Sequence, residues 1–371
     1  MGVARLDHVD TSQVVSELEA LVNAESPSDD PALLEACASA VGSLGAELLG
    51  EAPEQVALEG RTHLLWRFGG RTGVVLLGHY DTVWPAGTLS RWPFRVDGSG
   101  RATGPGAFDM KAGIVQMFHA VACLDRREGV TILLTADEEI GSPTSRRLIE
   151  RTAAGARAAL VLEPSAGGAL KVARKGTSMY RLVVTGRAAH AGLEPEKGVN
   201  ATVELAHQAL AVARLGRPEV GTTVTPTVAS SGTTTNTVPA SAYLDVDARA
   251  SSVAEQERVD RALRELQPCL PGASIRVEGG INRPPLDRAS SEGLYALAQR
   301  VAERLGMPPL AGAAVGGGSD GNFTAGVGVP TLDGLGAEGD GAHAEGEYAL
   351  VGGIARRAAL LAGVVAEILA A

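Results

Sequence analysis

Val74-Val75-Leu76-Leu77-Gly78-His79-Tyr80-Asp81 is the stretch that decides the fold. Four apolar residues run without interruption and stop at a glycine, a histidine and an aspartate. A strand with one wet face alternates apolar and polar side chains, because successive Cβ atoms point to opposite faces. A short run without alternation belongs to a strand covered on both faces, as in parallel sheets between helices. The form recurs twice. Val130-Thr131-Ile132-Leu133-Leu134-Thr135 runs into Asp137-Glu138-Glu139, and Ala158 to Leu162 runs into Glu163-Pro164. Upstream, Val14, Val15, Leu18, Leu21 and Val22 recur at helical spacing with Thr11 or Ser12 as cap, and Pro31 opens a second helix through Leu33, Leu34 and Val41. The pattern predicts an α/β domain with a mostly parallel sheet between helices. In such sheets ligands gather at the carboxyl ends of the strands, so the polar groups at these three ends should converge.

Further along, the pattern changes. Tyr180 to Gly186 alternates, Val199 to Leu215 is helical, Val224 to Val228 and Ala242 to Ala248 are strand-like, and Val253 to Leu266 is an amphipathic helix. Strand–helix–strand–strand–helix–strand is the order of a ferredoxin-like α+β unit. Beyond Pro284-Pro285 a helix from Ser290 to Leu305 and short apolar strands resume the first pattern. The expected organisation is therefore one domain over 1–174 and 285–371, interrupted by a second over 175–284.

Composition narrows the function. The 371 residues carry 33 Lys+Arg against 43 Asp+Glu, a net charge of −10, which argues against a nucleic-acid or anionic-membrane surface. No apolar run approaches the ~20 residues that span a bilayer, and the first ten residues do not resemble a signal peptide. Cys37, Cys123 and Cys269 are far apart and odd in number, so neither a disulfide framework nor a zinc-finger spacing is expected. These features together point to a cytoplasmic protein. Of the thirteen Phe, Trp and Tyr residues, eight lie between Trp66 and Phe118, around His79, Asp81 and Asp109.

The candidate ligands are His79, Asp109, Glu138, Glu139, Glu163 and His343. Two imidazoles among carboxylates, without a nearby thiolate, suit Zn²⁺, Mn²⁺ or Co²⁺. One histidine and one carboxylate per ion, with a shared carboxylate, would hold two ions ~3.5–4 Å apart. Of the adjacent Glu138 and Glu139, one should reach a metal and leave the other to take a proton from water.

Several longer stretches carry a resemblance. They are GHYDTVWPAGTL (78–89), ATGPGAFDMKAG (102–113), LLTADEEIGS (133–142), LVLEPS (160–165), VTGRAAHAG (184–192), PEKGVNA (195–201), TTTNTVPASAYLDVDAR (233–249), GGGSDGN (316–322) and GAHAEGEY (341–348). In this order they resemble the M20 family of dinuclear metallopeptidases, and within it the glutamate carboxypeptidase branch (the carboxypeptidase G2 type). Met110 and Ala112 stand where that pattern often has an acidic residue and a glycine.

The resemblance implies two divalent ions per subunit, zinc first, with cobalt or manganese as alternatives. His79 and Glu163 would hold one ion, Glu139 and His343 the other, and Asp109 would bridge them. Glu138 would be the general base towards a water activated by both metals, and Asp81 would orient His79. The inserted domain would be a lid or dimerisation domain, making the protein a homodimer. His190 would reach a neighbouring subunit's site to stabilise the oxyanion, while Asn236 and Arg249 would hold the free α-carboxylate of a small peptide or N-acyl amino acid. Arg174, Lys175 and Arg283 lie near the domain crossings, where they could meet an acidic substrate side chain. The implied reaction releases a C-terminal amino acid, glutamate first. The alternative is an N-acyl-amino-acid deacylase of the acetylornithine deacetylase or desuccinylase type.

Other readings of single residues remain. His190 can be a loop histidine, and Arg249 can pair with Asp245 or Asp247 on the surface. His8, His63, His119 and His207 fit helical or surface settings. Gly317 to Gly321 satisfies G-x-S-x-G, with Asp333 or Asp340 and His343 following in serine-hydrolase order. Ala311 to Gly318, however, has little strand character to precede a nucleophile at Ser319. A non-catalytic binding protein on the same fold is the last alternative, although Glu138 and all five ligand candidates are present.

Overall fold

The computed structural model describes residues 10–371, so His8 lies outside the described residues. The described residues divide into two compact units, one made of 10–173, 286–315 and 319–371, the other of 174–285 with 316–318.

The first unit is built on a six-stranded sheet. The strands lie in the order Glu54–Leu58, Arg61–Arg67, Val130–Thr135, Val74–His79, Ala158–Val161 and Thr331–Leu332. The last four run parallel, and the first two form an antiparallel hairpin added to their edge. Val74–His79 and Val130–Thr135 are buried along their whole length, which explains their unbroken apolar sequence. Ala158–Val161 is likewise closed. His79 pairs with Thr135, and Leu77 pairs with Val161. That register sets the ends bearing His79, Glu138 and Glu163 side by side.

Helices Thr11–Asn23, Pro31–Leu49, Ala112–Ala122 and Val351–Ala370 share one large core with the sheet. Asp10, not Thr11 or Ser12, caps the first helix, its carboxylate accepting from the Ser12 N–H. Pro31–Leu49 is also long and apolar enough to cross a bilayer, which the sequence reading did not anticipate; its Leu34, Cys37, Ala38 and Val41 are buried in the core. Trp66 and Phe118 meet edge to face at 5.3 Å within that core.

Two glycines set the position of Glu163. A Cβ on Gly113 would come within 2.3 Å of the Leu162 carbonyl oxygen, and one on Gly336 within 2.1 Å of the same atom. Only hydrogen at both positions lets the helix and the loop close on the strand end that carries the carboxylate.

The second unit contains strands Gly176–Thr185, Thr223–Ser231, Ser241–Ala250 and Ser274–Arg283 with helices Ala201–Ala213 and Val253–Arg264. The sheet is antiparallel, with the first of these strands between the last two and Thr223–Ser231 on the outer edge, the ferredoxin-like arrangement. Its own core gathers Leu182, Val184, Leu205, Leu244, Val259 and Leu263.

Candidate metal centre

Six candidate side chains and one supporting carboxylate meet at the strand ends of the first unit. His79 is 1% exposed. Its Nδ1 lies 3.0 Å from the Asp81 carbonyl oxygen and 3.4 Å from Asp81 Oδ1. With Nδ1–H turned to those acceptors, Nε2 presents a lone pair to the centre. That nitrogen stands 3.4 Å from Asp109 Oδ1 and 3.4 Å from Glu163 Oε1. Across Asp109, His343 Nε2 stands 3.5 Å from Oδ2 and 3.2 Å from Glu139 Oε2. Each oxygen of Asp109 therefore faces a different histidine.

These separations are long for charge-assisted hydrogen bonds and leave room for a cation between the partners. A charge-assisted N–H···O bond closes to about 2.7–2.9 Å. Ligand atoms spread tetrahedrally around an ion at ~2.1 Å stand about 3.4 Å apart. Asp109 Oδ1 and Glu139 Oε1 are, moreover, buried without a hydrogen-bond partner. Buried polar atoms are rarely left so, and a cation would satisfy both. The donor set thus fits two divalent ions.

Electrostatics point the same way. Burial alone would depress the His79 imidazole, yet Asp109, Asp81 and Glu163 hold it well above its ordinary value. Asp109 and Glu139 raise His343 to about 10. Burial pushes Glu139 up, whereas for Asp109 the two histidines outweigh burial and hold its carboxyl well below the usual range. Without a cation, then, both imidazoles carry protons that an ion must displace. Loading the metal-free protein at pH 7 should release roughly two protons, one per histidine. Calorimetric titration in buffers of different ionisation enthalpy reads that number, and affinity should weaken as pH falls. Loading without proton release would show that the imidazoles are already neutral in the metal-free protein.

Both glutamates border the centre: ligand atoms of His79, Glu138 and Glu163 lie within 4.8 Å of one another, as do those of His79, Asp109 and Glu139. Asp81 fixes both backbones, Oδ1 accepting from Glu138 N and Oδ2 from Glu139 N, each at 3.2 Å. Ser28 Oγ donates to Asp81 Oδ2 at 2.7 Å.

Some residues come as corrections. A further carboxylate, Glu347, is built into the site. It is closed to solvent, accepts from Phe108 N at 3.2 Å and from Trp84 Nε1 at 3.1 Å, and burial raises it to about 7. Glu345 stands in solvent beside Arg91. Tyr80 and Phe108 are core residues, and Trp84 packs edge-on against Trp92 at 4.9 Å. His63 is neither helical nor exposed. It is buried on strand Arg61–Arg67, accepts from Ala136 N at 3.3 Å and lies 3.0 Å from Thr144 Oγ1. His119 is helical but buried, 2.6 Å from Glu17 Oε2. Lys171 Nζ, which no motif singled out, stands 3.7 Å from Glu163 Oε2.

Ser319 is not placed as a nucleophile. A strand, Gly312–Val315, does precede it, contrary to the sequence expectation, and helix Gly321–Gly326 follows. Yet Ser319 is 0% exposed and its Oγ donates to Asp333 Oδ2 at 2.6 Å.

In the second unit, His190 and Asn236 are neighbours. Ala191 N donates to the Asn236 carbonyl oxygen at 2.9 Å, and His190 pairs with Thr237. Arg249 forks onto Asp247, Nη2 to Oδ2 at 2.7 Å and Nε to Oδ1 at 2.8 Å, while Asp245 takes Arg181. Arg174 is buried and donates from Nη1 to the carbonyls of Gly317 and Gly318, each at 3.1 Å.

Residues 75–367 match peptidase family M20/M25/M40. The chain belongs to this family. Carboxypeptidase G2 from Pseudomonas sp. (strain RS-16) is 33% identical over 96% of this chain and 89% of its own length. Acetylornithine deacetylase from Myxococcus xanthus is 29% identical over 80% of each. A tripeptidase from Staphylococcus aureus shares the fold, with a TM-score of 0.76 over 98% of this chain and 99% of its own at 20% identity. M20 proteins are dinuclear metal hydrolases, so this chain is a hydrolase with residues fit for metal binding.

Proposed function

We propose that this M20 hydrolase cuts an amide bond and releases a C-terminal amino acid, glutamate first, from a small peptide or N-acyl amino acid. The observation that carries the reading is Asp109, with one oxygen towards His79 and the other towards His343. His79 and Glu163 would hold one ion, His343 and Glu139 the other, and Asp109 both; zinc suits this donor set best. Bound there, two ions polarise an amide carbonyl and lower the pKa of water towards neutrality.

The chain's own residues do the rest. Glu138 takes the proton of the attacking water and hands it to the leaving amine, while Asp81 keeps the His79 ring in its orientation. His190 Nδ1 accepts from Gly192 N at 3.1 Å, so its neutral ring carries the proton on Nε2. That N–H is suited to donate to the oxyanion. Asn236 and Arg249 hold the substrate α-carboxylate, with Arg249 exchanging Asp247 for it, since a guanidinium fork fits either carboxylate. Arg249→Ala should raise KM by about 10–100-fold, the loss of one charge-assisted bidentate contact, with metal content unchanged. An unchanged KM would return Arg249 to its salt bridge with Asp247.

The second unit serves as the lid and dimerisation domain of a homodimer; its exposed edge strand with Val228 and the outward Leu210 support this. Three unpaired cysteines support a reducing, cytoplasmic setting. Similarity to an acetylornithine deacetylase favours a second reading, removal of an N-acyl group. A hydrolysis panel on the zinc-loaded protein separates them, using N-acetyl and N-succinyl amino acids, α- and γ-glutamyl peptides and pteroyl-glutamate. Preference for a C-terminal glutamate supports the first reading, and preference for acetyl or succinyl groups irrespective of that residue supports the second. No turnover on any member, with two metals bound, would leave a binding protein.

A further inference from the structure

We propose that Asp320 is a positioning residue for Glu138 and Glu139, its carboxylate strapping together the two ends of the turn that carries them. The inference rests on the reading of Glu138 as the base. Strand Val130–Thr135 ends at Thr135, and the 3₁₀ turn Glu138–Ile140 closes into Ser142. Asp320, 2% exposed, reaches this turn from a segment far along the chain. Its Oδ2 accepts from Thr135 Oγ1 at 2.8 Å, and its Oδ1 accepts from Ser142 Oγ. Ser142 adopts φ 59°, a left-handed conformation that a non-glycine residue keeps only when its surroundings hold it.

The other supports act elsewhere on the same segment. Asp81 holds the Glu138 and Glu139 N–H groups in the middle. Asp137 accepts from Thr144 N and Ser145 Oγ beyond the turn, and His63 accepts from Ala136 N before it. Asp137, at the entry, ties itself to the exit through Ser142 N and Thr144 N, whereas Asp320 grips both ends from outside the segment. A carboxylate suits the task because both hydroxyls donate and each needs its own acceptor oxygen. An asparagine offers one oxygen, so one hydroxyl must turn round or lose its partner, and the turn gains freedom. A base displaced by ~1 Å costs about 10²-fold in rate, whereas substrate binding by the second unit is untouched.

The test uses the full-length Asp320→Asn protein. In the metal-free form, hydrogen exchange at the Glu138 and Glu139 amides should quicken by about 10-fold or more, while Leu76 and Leu77 in the central strand keep their parental rates. In the loaded enzyme kcat should fall by about 10–100-fold with KM unchanged. In a Glu138→Gln background the substitution should cost less than in the parent, because the part that acts through Glu138 is already lost. If Asp320→Asn does not fold, Thr135→Val with Ser142→Ala removes the same strap from the opposite side. Parental exchange at Glu138 and Glu139 in a folded variant would overturn the proposal, as would equal acceleration at Leu76 and Leu77. Should the parent hydrolyse no amide while the two amides still respond, the base assignment falls and the positioning role stands.

Discussion

The Glu138→Gln protein should bind metal as its parent does and turn over about 10²–10⁴-fold more slowly. Gln keeps the size of the side chain and its reach towards His79 and Glu163, but it has no basic oxygen to take a proton. Its backbone stays anchored, because the Glu138 N–H bonds Asp81 and not its own side chain. Each decade of lost rate is ~1.4 kcal/mol of transition-state stabilisation, so the expected loss is about 3–5 kcal/mol, with little change in KM. Elemental analysis and a burst-free progress curve decide the matter. Near-parental turnover would remove Glu138 as the base. Because its carboxylate belongs to one close group with His79 and Glu163, a third result is informative: loss of one ion would make Glu138 a ligand.

Asp109→Asn should empty the centre. A carboxylate can offer one lone pair to each side, whereas an amide offers one oxygen and one NH₂ that repels a cation. Removing a residue that merely supports a ligand already costs about 10–100-fold in metal affinity, so removing a shared ligand should cost at least about 100-fold. Activity should fall below detection, and the rise in Tm that metal gives the parent should vanish, since a ligand stabilises only the state that binds it. The fold should survive: Phe108 N on Glu347 and the Lys111 ammonium on the Ala24 carbonyl hold this turn independently of the Asp109 side chain. Retention of both ions by a folded variant would refute the bridging role.

The cluster of His79, Glu138 and Glu163 was legible because these residues follow strands whose burial leaves no alternation, whereas Asp109 and His343 stand in turns and were found through the resemblance alone. The ferredoxin-like unit was legible for the complementary reason, a strand wet on one face. The hairpin Glu54–Arg67 escaped notice. Its outer strand is largely exposed and its turn, Glu59-Gly60 with φ of 48° and 79°, lacks the Asn-Gly or Asp-Gly signature of such hairpins. Strand Gly312–Val315 is rich in Ala and Gly and owes its form to pairing with Leu170–Arg174, a tertiary effect. Glu345 and Glu347 lie two residues apart in one loop, and only the path of that loop decides which carboxylate is buried. His63 offered no local signal, since its partners Ala136 and Thr144 lie far along the chain.

The buried hydroxyl of Ser319 carries a lesson for sorting genomes. A regular expression combined with element order would file this chain among the serine hydrolases, for the strand, the elbow spacing and the helix are all there. What separates it from them is a shut door and one bond to Asp333. Neither is written in the letters of the motif. Catalogues built on such expressions need a solvent-accessibility filter before a serine is counted as reactive.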